Sequence, residues 1–474
     1  MGFPCRLTRF ALSWLLLLQT LLWSPLGVAA AQQCRLKSVN HGWYKGQPSS
    51  TTSSSGNGPT ALPSGIAPGD DSDPPLPPFD YGNDKVRGVN LGGWLVLEPW
   101  ITPSIFQNTG NDNVVDEFTF GSLLDGQTAS STLEQHWATW ITEDDFIAIS
   151  AAGLNHVRIP LGYWSVPLTS ADTTVSTSPS PYIPGAWQYL IQGLTWARKH
   201  SIHVILDIHG APGSQNGYDN SGQRTATPQW ALDPNNILRT VDTIRFLAKN
   251  LQGYVDVLEL LNEGAGFIDN NWMNAVRQYF EDGYGAVRSE SGMVVMIGDA
   301  FVGVANWQGF LIQPDQGVIM DIHEYQIFSD PELNRSFDDH IAFACSSLPA
   351  LVTFSATNLW TVIGEWSSAV TDCTQWLNGR GIGSRWDNSF APSTGQFHGS
   401  CNGWTGDWHT FSDDYKTFLR KYWEVQVFMG ESIQGWVYWT WKAENSDEWS
   451  YQKGLEGGWI PQDPTNRIYP NICG

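Results

Sequence analysis

Basic residues are scarce in this chain: 25 Lys and Arg stand against 47 Asp and Glu, a formal net charge of −22. A field of that sign repels polyanions, which excludes nucleic acid as a partner and argues against anionic polymers as ligands. Cysteine is sparse too, six in 474 residues. No CxxC or Cys/His spacing of the zinc-binding kind occurs, so neither a metal nor another cofactor is expected. Long apolar runs are confined to the N-terminus. Phe10 to Leu22 follows Arg6 and Arg9 and precedes the small residues Val28-Ala29-Ala30-Ala31, the pattern of a secretory leader over residues 1–31. That core is short for a membrane span, no other stretch comes near one, and Asn471-Ile472-Cys473-Gly474 is not a lipid-anchor tail. The expectation is a secreted monomer, extracellular or in the cell wall, without a membrane anchor. Loss of Arg6 and Arg9 with the leader, which holds no acid, takes the charge to −24.

Residues 32–80 form a Ser/Thr/Gly/Pro-rich N-terminal segment, almost without apolar content from Gln47 to Pro78. Ser49 to Ser55 is entirely Ser and Thr, and Pro74-Pro75-Leu76-Pro77-Pro78 follows. Such a segment buries too little surface to fold and is expected to be a disordered, O-glycosylated spacer. Residues 81–474 read as one globular unit. Five cysteines outlast the leader, and an oxidising compartment favours two bridges among Cys345, Cys373, Cys401 and Cys473, with Cys34 left over.

Tryptophan, in contrast, is abundant, at 25 residues. Indole faces pack against the C–H faces of sugars, and with acidity and secretion this fits a neutral polysaccharide. Eight short apolar runs recur: Val86 to Leu91, His156 to Ile159, His203 to Asp207, Val255 to Leu261, Val294 to Gly298, Val318 to His323, Leu359 to Gly364 and Gly435 to Trp441. Near-continuous apolar runs are strands buried on both faces of a parallel sheet. Amphipathic helices lie between them. Asp233-Pro234 opens one with Ile237, Val241, Ile244 and Ala248 on one face, another carries Trp272, Val276, Tyr279 and Phe280, and Ser412 opens a third through Tyr415, Phe418 and Tyr422. Eight strands alternating with helices predict an α/β fold, the (β/α)8 TIM barrel.

In that architecture the active site lies at the C-terminal ends of the strands, and several runs end on polar residues a core does not need. Leu260-Leu261-Asn262-Glu263 and Ile363-Gly364-Glu365-Trp366 each close an apolar run with a glutamate. A carboxylate at the mouth of a buried strand is costly unless hydrogen-bonded or used. Two in equivalent settings point to the acid/base and nucleophile of glycoside hydrolysis. Arg158, His209, His323, Tyr325 and Trp439 occupy other strand ends.

The chain resembles glycoside hydrolase family 5, within it the fungal exo-β-1,3-glucanases (glucan 1,3-β-glucosidases). The motifs are Arg87-Gly88-Val89-Asn90-Leu91-Gly92-Gly93-Trp94 with Glu98-Pro99, Asn155-His156-Val157-Arg158-Ile159-Pro160, Leu206 to Gly217 with Asp219-Asn220-Ser221-Gly222, and Trp439 to Asn445. The resemblance implies a retaining double displacement that releases glucose from non-reducing ends of β-1,3-glucan, with Glu263 as acid/base and Glu365 as nucleophile. It implies that Asn262 holds the sugar 2-hydroxyl, that Glu98, His209, Asp219, His323 and Trp439 line the terminal glucose pocket, and that Tyr218 and Phe328 clamp the next sugar. Tyr325 and Arg158 are expected among the substrate-binding residues and to hold Glu365 ionised, and its charge to raise the pKa of Glu263. The resemblance also pairs Cys345 with Cys473 and Cys373 with Cys401. Asn334, in the sequon Asn334-Arg335-Ser336, is a candidate glycosylation site. The family commonly has Pro after the acid/base, where this chain has Gly264, so a looser loop is expected. The alternatives are transglycosylation, a β-1,6-active relative and an inactive glucan-binding barrel.

Overall fold

The computed structural model describes residues 75–312, 317–390 and 395–474; the expected leader, Cys34 and nearly all of the expected spacer lie outside the described residues. Each of the eight apolar runs forms a strand: β1 Val86–Asn90, β2 His156–Gly162, β3 His203–Gly210, β4 Val257–Glu259, β5 Val294–Gly298, β6 Val318–Glu324, β7 Trp360–Trp366 and β8 Gly435–Tyr438. They pair in sequence order, all parallel, and β8 closes on β1. The three helices read from periodicity are Pro234–Asn250, Asn270–Glu290 and Asp413–Ser432, with Asp233 and Ser412 accepting from backbone amides as N-caps.

Period-two alternation stacks the barrel interior in layers. The lowest is apolar, with Val86, Ile205, Val257, Met296, Ile319, Val362 and Val437 packed against Tyr81 and Phe79. The next is polar: Asp207, Glu259 and Asp321 stand two residues beyond Ile205, Val257 and Ile319 on their strands, and Asn90 and Arg158 are buried with them. One feature departs from alternation. Between β6 and β7 the register slips, so that Ile322 pairs with Ile363 but His323 pairs with Glu365, passing over Gly364. The bulge keeps Glu365 facing the barrel axis beside His323. Gly364 is required there, because a β-carbon would lie 2.1 Å from Asp321 Oδ1, which accepts the Gly364 amide at 2.7 Å.

Two disulfides hold the periphery, Cys345–Cys473 and Cys373–Cys401. The first spans 128 residues and fastens the C-terminal segment to the helix Phe337–Thr357. Replacing both its cysteines by Ser is expected to cost about 2–4 kcal/mol in a denaturant melt, the usual scale for a long loop. A loss too small to resolve would mean that other contacts hold the segment. The helix Phe337–Thr357 is also, by length and composition, apolar enough to cross a membrane, a stretch the sequence reading passed over. It is an outer helix of the barrel: Ala344, Leu351 and Phe354 face the core, and Phe337 stacks on Phe418 at 4.0 Å.

Candidate active site

At the C-terminal rim, Glu263 follows β4 and Glu365 lies on β7. An oxygen of each, together with a nitrogen of His323, lie within 4.8 Å of one another. Glu263 Oε2 accepts from Asn220 Nδ2 at 2.8 Å, and its Oε1 meets His323 Nδ1 at 2.9 Å. The Glu263 backbone sits in the left-handed region, φ 46°, a strained conformation that turns the side chain toward the cluster. Gly264 adopts no positive φ, so its backbone does not require glycine. Glu365 Oε1 accepts from Arg158 Nη1 at 2.9 Å and Oε2 from the Tyr325 hydroxyl at 3.0 Å. His323 bridges the pair, with Nδ1 3.4 Å from Glu365 Oε2 and Nε2 3.1 Å from Asp321 Oδ2.

Arg158 was expected to touch substrate, and its surroundings correct that. Its side chain is fully buried, and its donors are spent within the protein. Nε and Nη2 reach Glu259 at 2.7 and 3.1 Å, Nη2 also reaches Asn262 Oδ1 and Asp207, and Nη1 reaches Asn90 as well as Glu365. It is a positioning residue. By occupying Asn262 Oδ1 it turns the Asn262 amide nitrogen toward the pocket.

That nitrogen has no hydrogen-bond partner among the described residues, and neither do Glu98 Oε1, His209 Nε2 and Asp219 Oδ2, all buried. Buried polar atoms left open in this way are costly unless a ligand completes them, and a ring of donors and acceptors matches sugar hydroxyls. His209 Nδ1 meets Asp207 Oδ2 at 2.6 Å, which leaves Nε2 open, and its ring stacks on Trp439 with centroids 5.5 Å apart. Glu98 Oε2 accepts from Trp100 at 2.9 Å. Tyr218 and Phe328 are both exposed at the mouth. Their aromatic neighbours are Phe301, itself beside Phe267, and Tyr325.

The electrostatics differ from expectation in sign. Burial pushes the Glu365 carboxyl above its ordinary value, and His323 and Arg158 pull it only part of the way back. Burial acts on Glu263 in the same direction, but the hydrogen bond and charge of His323, with Asn220, outweigh it and hold Glu263 low. His323 is the group the sequence reading left out of this balance. Burial opposes its charge, yet the carboxylates of Glu365 and Asp321 hold it well above the usual imidazole value. Among Glu263, Glu365 and His323, these shifts favour the proton on His323 over Glu263. Burial, then Asp219 and Glu365, raise Glu98 well above the carboxylate range, and burial lifts Asp219 to about 7.

Sequence reasoning missed Glu259, Asp321 and Asn220, and gave Asp207 no role. Glu259 and Asp321 were detectable in principle, each being an acid inside an apolar strand run. Asn220 sits in a short helical turn, Asp219–Ser221, within the motif Asp219-Asn220-Ser221-Gly222, which gave it no role of its own.

Residues 121–379 match the family model described as cellulase (glycosyl hydrolase family 5). The chain is 42% identical over 403 residues to a glucan 1,3-beta-glucosidase of Blumeria graminis, covering 84% of this chain and 91% of the relative. It is 43% identical over 411 residues to glucan 1,3-beta-glucosidase 2 of Wickerhamomyces anomalus, covering 83% and 92%. Among solved structures it is similar to a rutinosidase from Aspergillus niger, with a TM-score of 0.59, 19% identity and coverage of 81% and 100%. At that identity the likeness concerns the fold alone.

Proposed function

This chain belongs to glycosyl hydrolase family 5, and from that premise we propose that it is a secreted, retaining exo-β-1,3-glucosidase that releases glucose from the non-reducing ends of β-1,3-glucan. The observation that carries the reading is the closeness of Glu263 and Glu365, one carboxylate oxygen of each lying within 4.8 Å of the other. Retaining enzymes hold the pair about 5–5.5 Å apart, whereas inverting ones leave about 6.5–9.5 Å for a water. The names of the relatives support the linkage.

Glu365 attacks the anomeric carbon while Glu263 protonates the departing glycosidic oxygen. Glu263 then takes a proton from the water that hydrolyses the glycosyl ester. Asn262 Nδ2 donates to the 2-hydroxyl, and Glu98, His209 and Asp219 receive the remaining hydroxyls of a terminal glucose over Trp439. Tyr218 and Phe328 flank the next sugar. Asn334, exposed and followed by the N-cap Ser336, carries the N-glycan, and the protein acts as a monomer.

Glu263→Gln tests the roles. On laminarin kcat/KM is expected to fall about 10²–10⁴-fold, the worth of general acid catalysis, while a dinitrophenyl β-glucoside, whose leaving group needs no proton, keeps its glycosylation rate. Glucose should be the small product from wild-type enzyme, released as the β-anomer. Release of the α-anomer, or of longer oligosaccharides first, would overturn the reading.

A further inference from the structure

His323 is bonded to carboxylates through both ring nitrogens, and the one behind it has no place in the chemistry so far. Asp321 Oδ2 lies 3.1 Å from His323 Nε2, and Asp321 Oδ1 accepts the Gly364 amide at 2.7 Å. Asp321 is fully buried, so neither oxygen can turn to substrate or solvent. A carboxylate only accepts, which places a proton on Nε2 whatever the state of Nδ1. We propose, building on the reading above, that Asp321 is the positioning residue of the acid/base machinery: it pins one imidazole proton on Nε2, so that the mobile proton sits on Nδ1, 2.9 Å from Glu263 Oε1, and reloads that carboxyl in each turnover.

The proton count closes. The Nδ1–H bond breaks as the proton passes to Glu263 Oε1, leaving a neutral imidazole with its Nε2–H on Asp321. Glu263 delivers that proton to the glycosidic oxygen as the C–O bond breaks. In the second half Glu263 takes a proton from water and returns it to Nδ1. The trigger is electrostatic. Glu365, whose Oε2 lies 3.4 Å from Nδ1, loses its charge as it forms the glycosyl ester, so the imidazolium loses a stabilising partner when the leaving group needs its proton.

Every element around His323 bears on this balance: Glu263 beyond β4, Glu259 on β4, Glu365 on β7 and Arg158 on β2, with Asp299 beyond β5 and Glu324 on β6 itself. Burial favours the neutral acid at Asp321, but His323, Arg158 and a hydrogen bond from Glu259 outweigh it and keep Asp321 ionised.

Asp321→Asn is the test. Its amide oxygen must face the Gly364 N–H, so its NH2 faces Nε2 and forces the opposite tautomer, neutral and protonated on Nδ1. Losing a carboxylate at this range shifts a pKa by about 1–3 units, so the basic limb of kcat/KM on laminarin should move down by about that much. Activity on laminarin at neutral pH should drop about ten- to a hundredfold, within the reach of general acid catalysis. The dinitrophenyl β-glucoside should hold within about threefold, because it needs no proton in the transition state. If Asp321 merely seats Gly364 and Glu365, both substrates fall together with the limb unmoved, which overturns the proposal. Should the variant fail to fold, 15N NMR of the wild-type imidazoles decides, with His323 assigned by its absence in His323→Gln. Loss of the Nδ1 proton first, with Nε2–H retained, supports the relay; a neutral ring protonated on Nδ1 overturns it. That measurement needs no substrate, whereas wild-type inactivity on laminarin would sink the functional reading alone.

Discussion

Glu365→Gln is expected to lower kcat on laminarin by more than about 10⁴-fold, the scale on which removing a nucleophile acts. The amide keeps the shape of the carboxylate: its oxygen can still accept from Arg158 Nη1, and the Tyr325 hydroxyl can rotate to accept from its nitrogen. The fold and melting temperature should therefore survive, and glucose should still bind. Unlike Glu263→Gln, this variant should not be spared by a good leaving group, since no substrate reacts without the nucleophile. Equal losses in the two variants on the dinitrophenyl glucoside would put the roles in doubt. The pH profile of the wild-type enzyme follows from the same cluster. Glu365 must be ionised, and burial raises it, so the acid limb lies above the ordinary glutamate value of about 4.3. The shared proton on His323 and Glu263 must be retained, and His323 is raised, so the basic limb lies above the ordinary imidazole value of about 6.5. The bell belongs to the coupled trio and not to single residues. A flat profile across the acid range, or peak activity well into the alkaline range, would contradict this assignment.

Arg158→Met is expected to destabilise the protein by about 3–5 kcal/mol at neutral pH, the cost of breaking a buried ion pair from one side. The side chain is fully buried and joins Glu259, Asp207 and Glu365; without it these acids face one another in a dry interior. Burial already raises Glu259 well above the carboxylate range, even with the guanidinium pulling it down. A carboxyl whose folded pKa exceeds its unfolded value favours folding when protonated, so stability falls as pH rises through that window and recovers on acidification. The variant's deficit should therefore shrink toward acid pH in urea melts. Activity should fall as well, because Asn262 loses the bond that orients its amide and Glu365 loses a cation, which moves the acid limb upward. A deficit independent of pH would mean that lost packing, and not stranded charge, dominates.

The sequence by itself determined the barrel and singled out the two glutamates proposed as the reacting pair. All eight apolar runs became strands because chain segments buried on both faces must be apolar along their length, and that pattern is local. Glu263 and Glu365 stood out because an acid ending such a run needs a reason. Period-two reading could have exposed the charged layer too, since Glu259 and Asp321 interrupt apolar runs, but it passed over both. Only the tertiary structure decided what those charges do. The one-residue slip at Gly364 turns Glu365 inward, and no local propensity encodes it, because it depends on how β6 seats Asp321 against β7. Arg158 changed from a substrate contact to a fully enclosed clamp once strands far apart in sequence met around it. The proton balance inverted for the same reason. Electrostatic energy depends on distances of a few ångströms between groups scores of residues apart, and His323 standing between both glutamates exists only in the closed barrel.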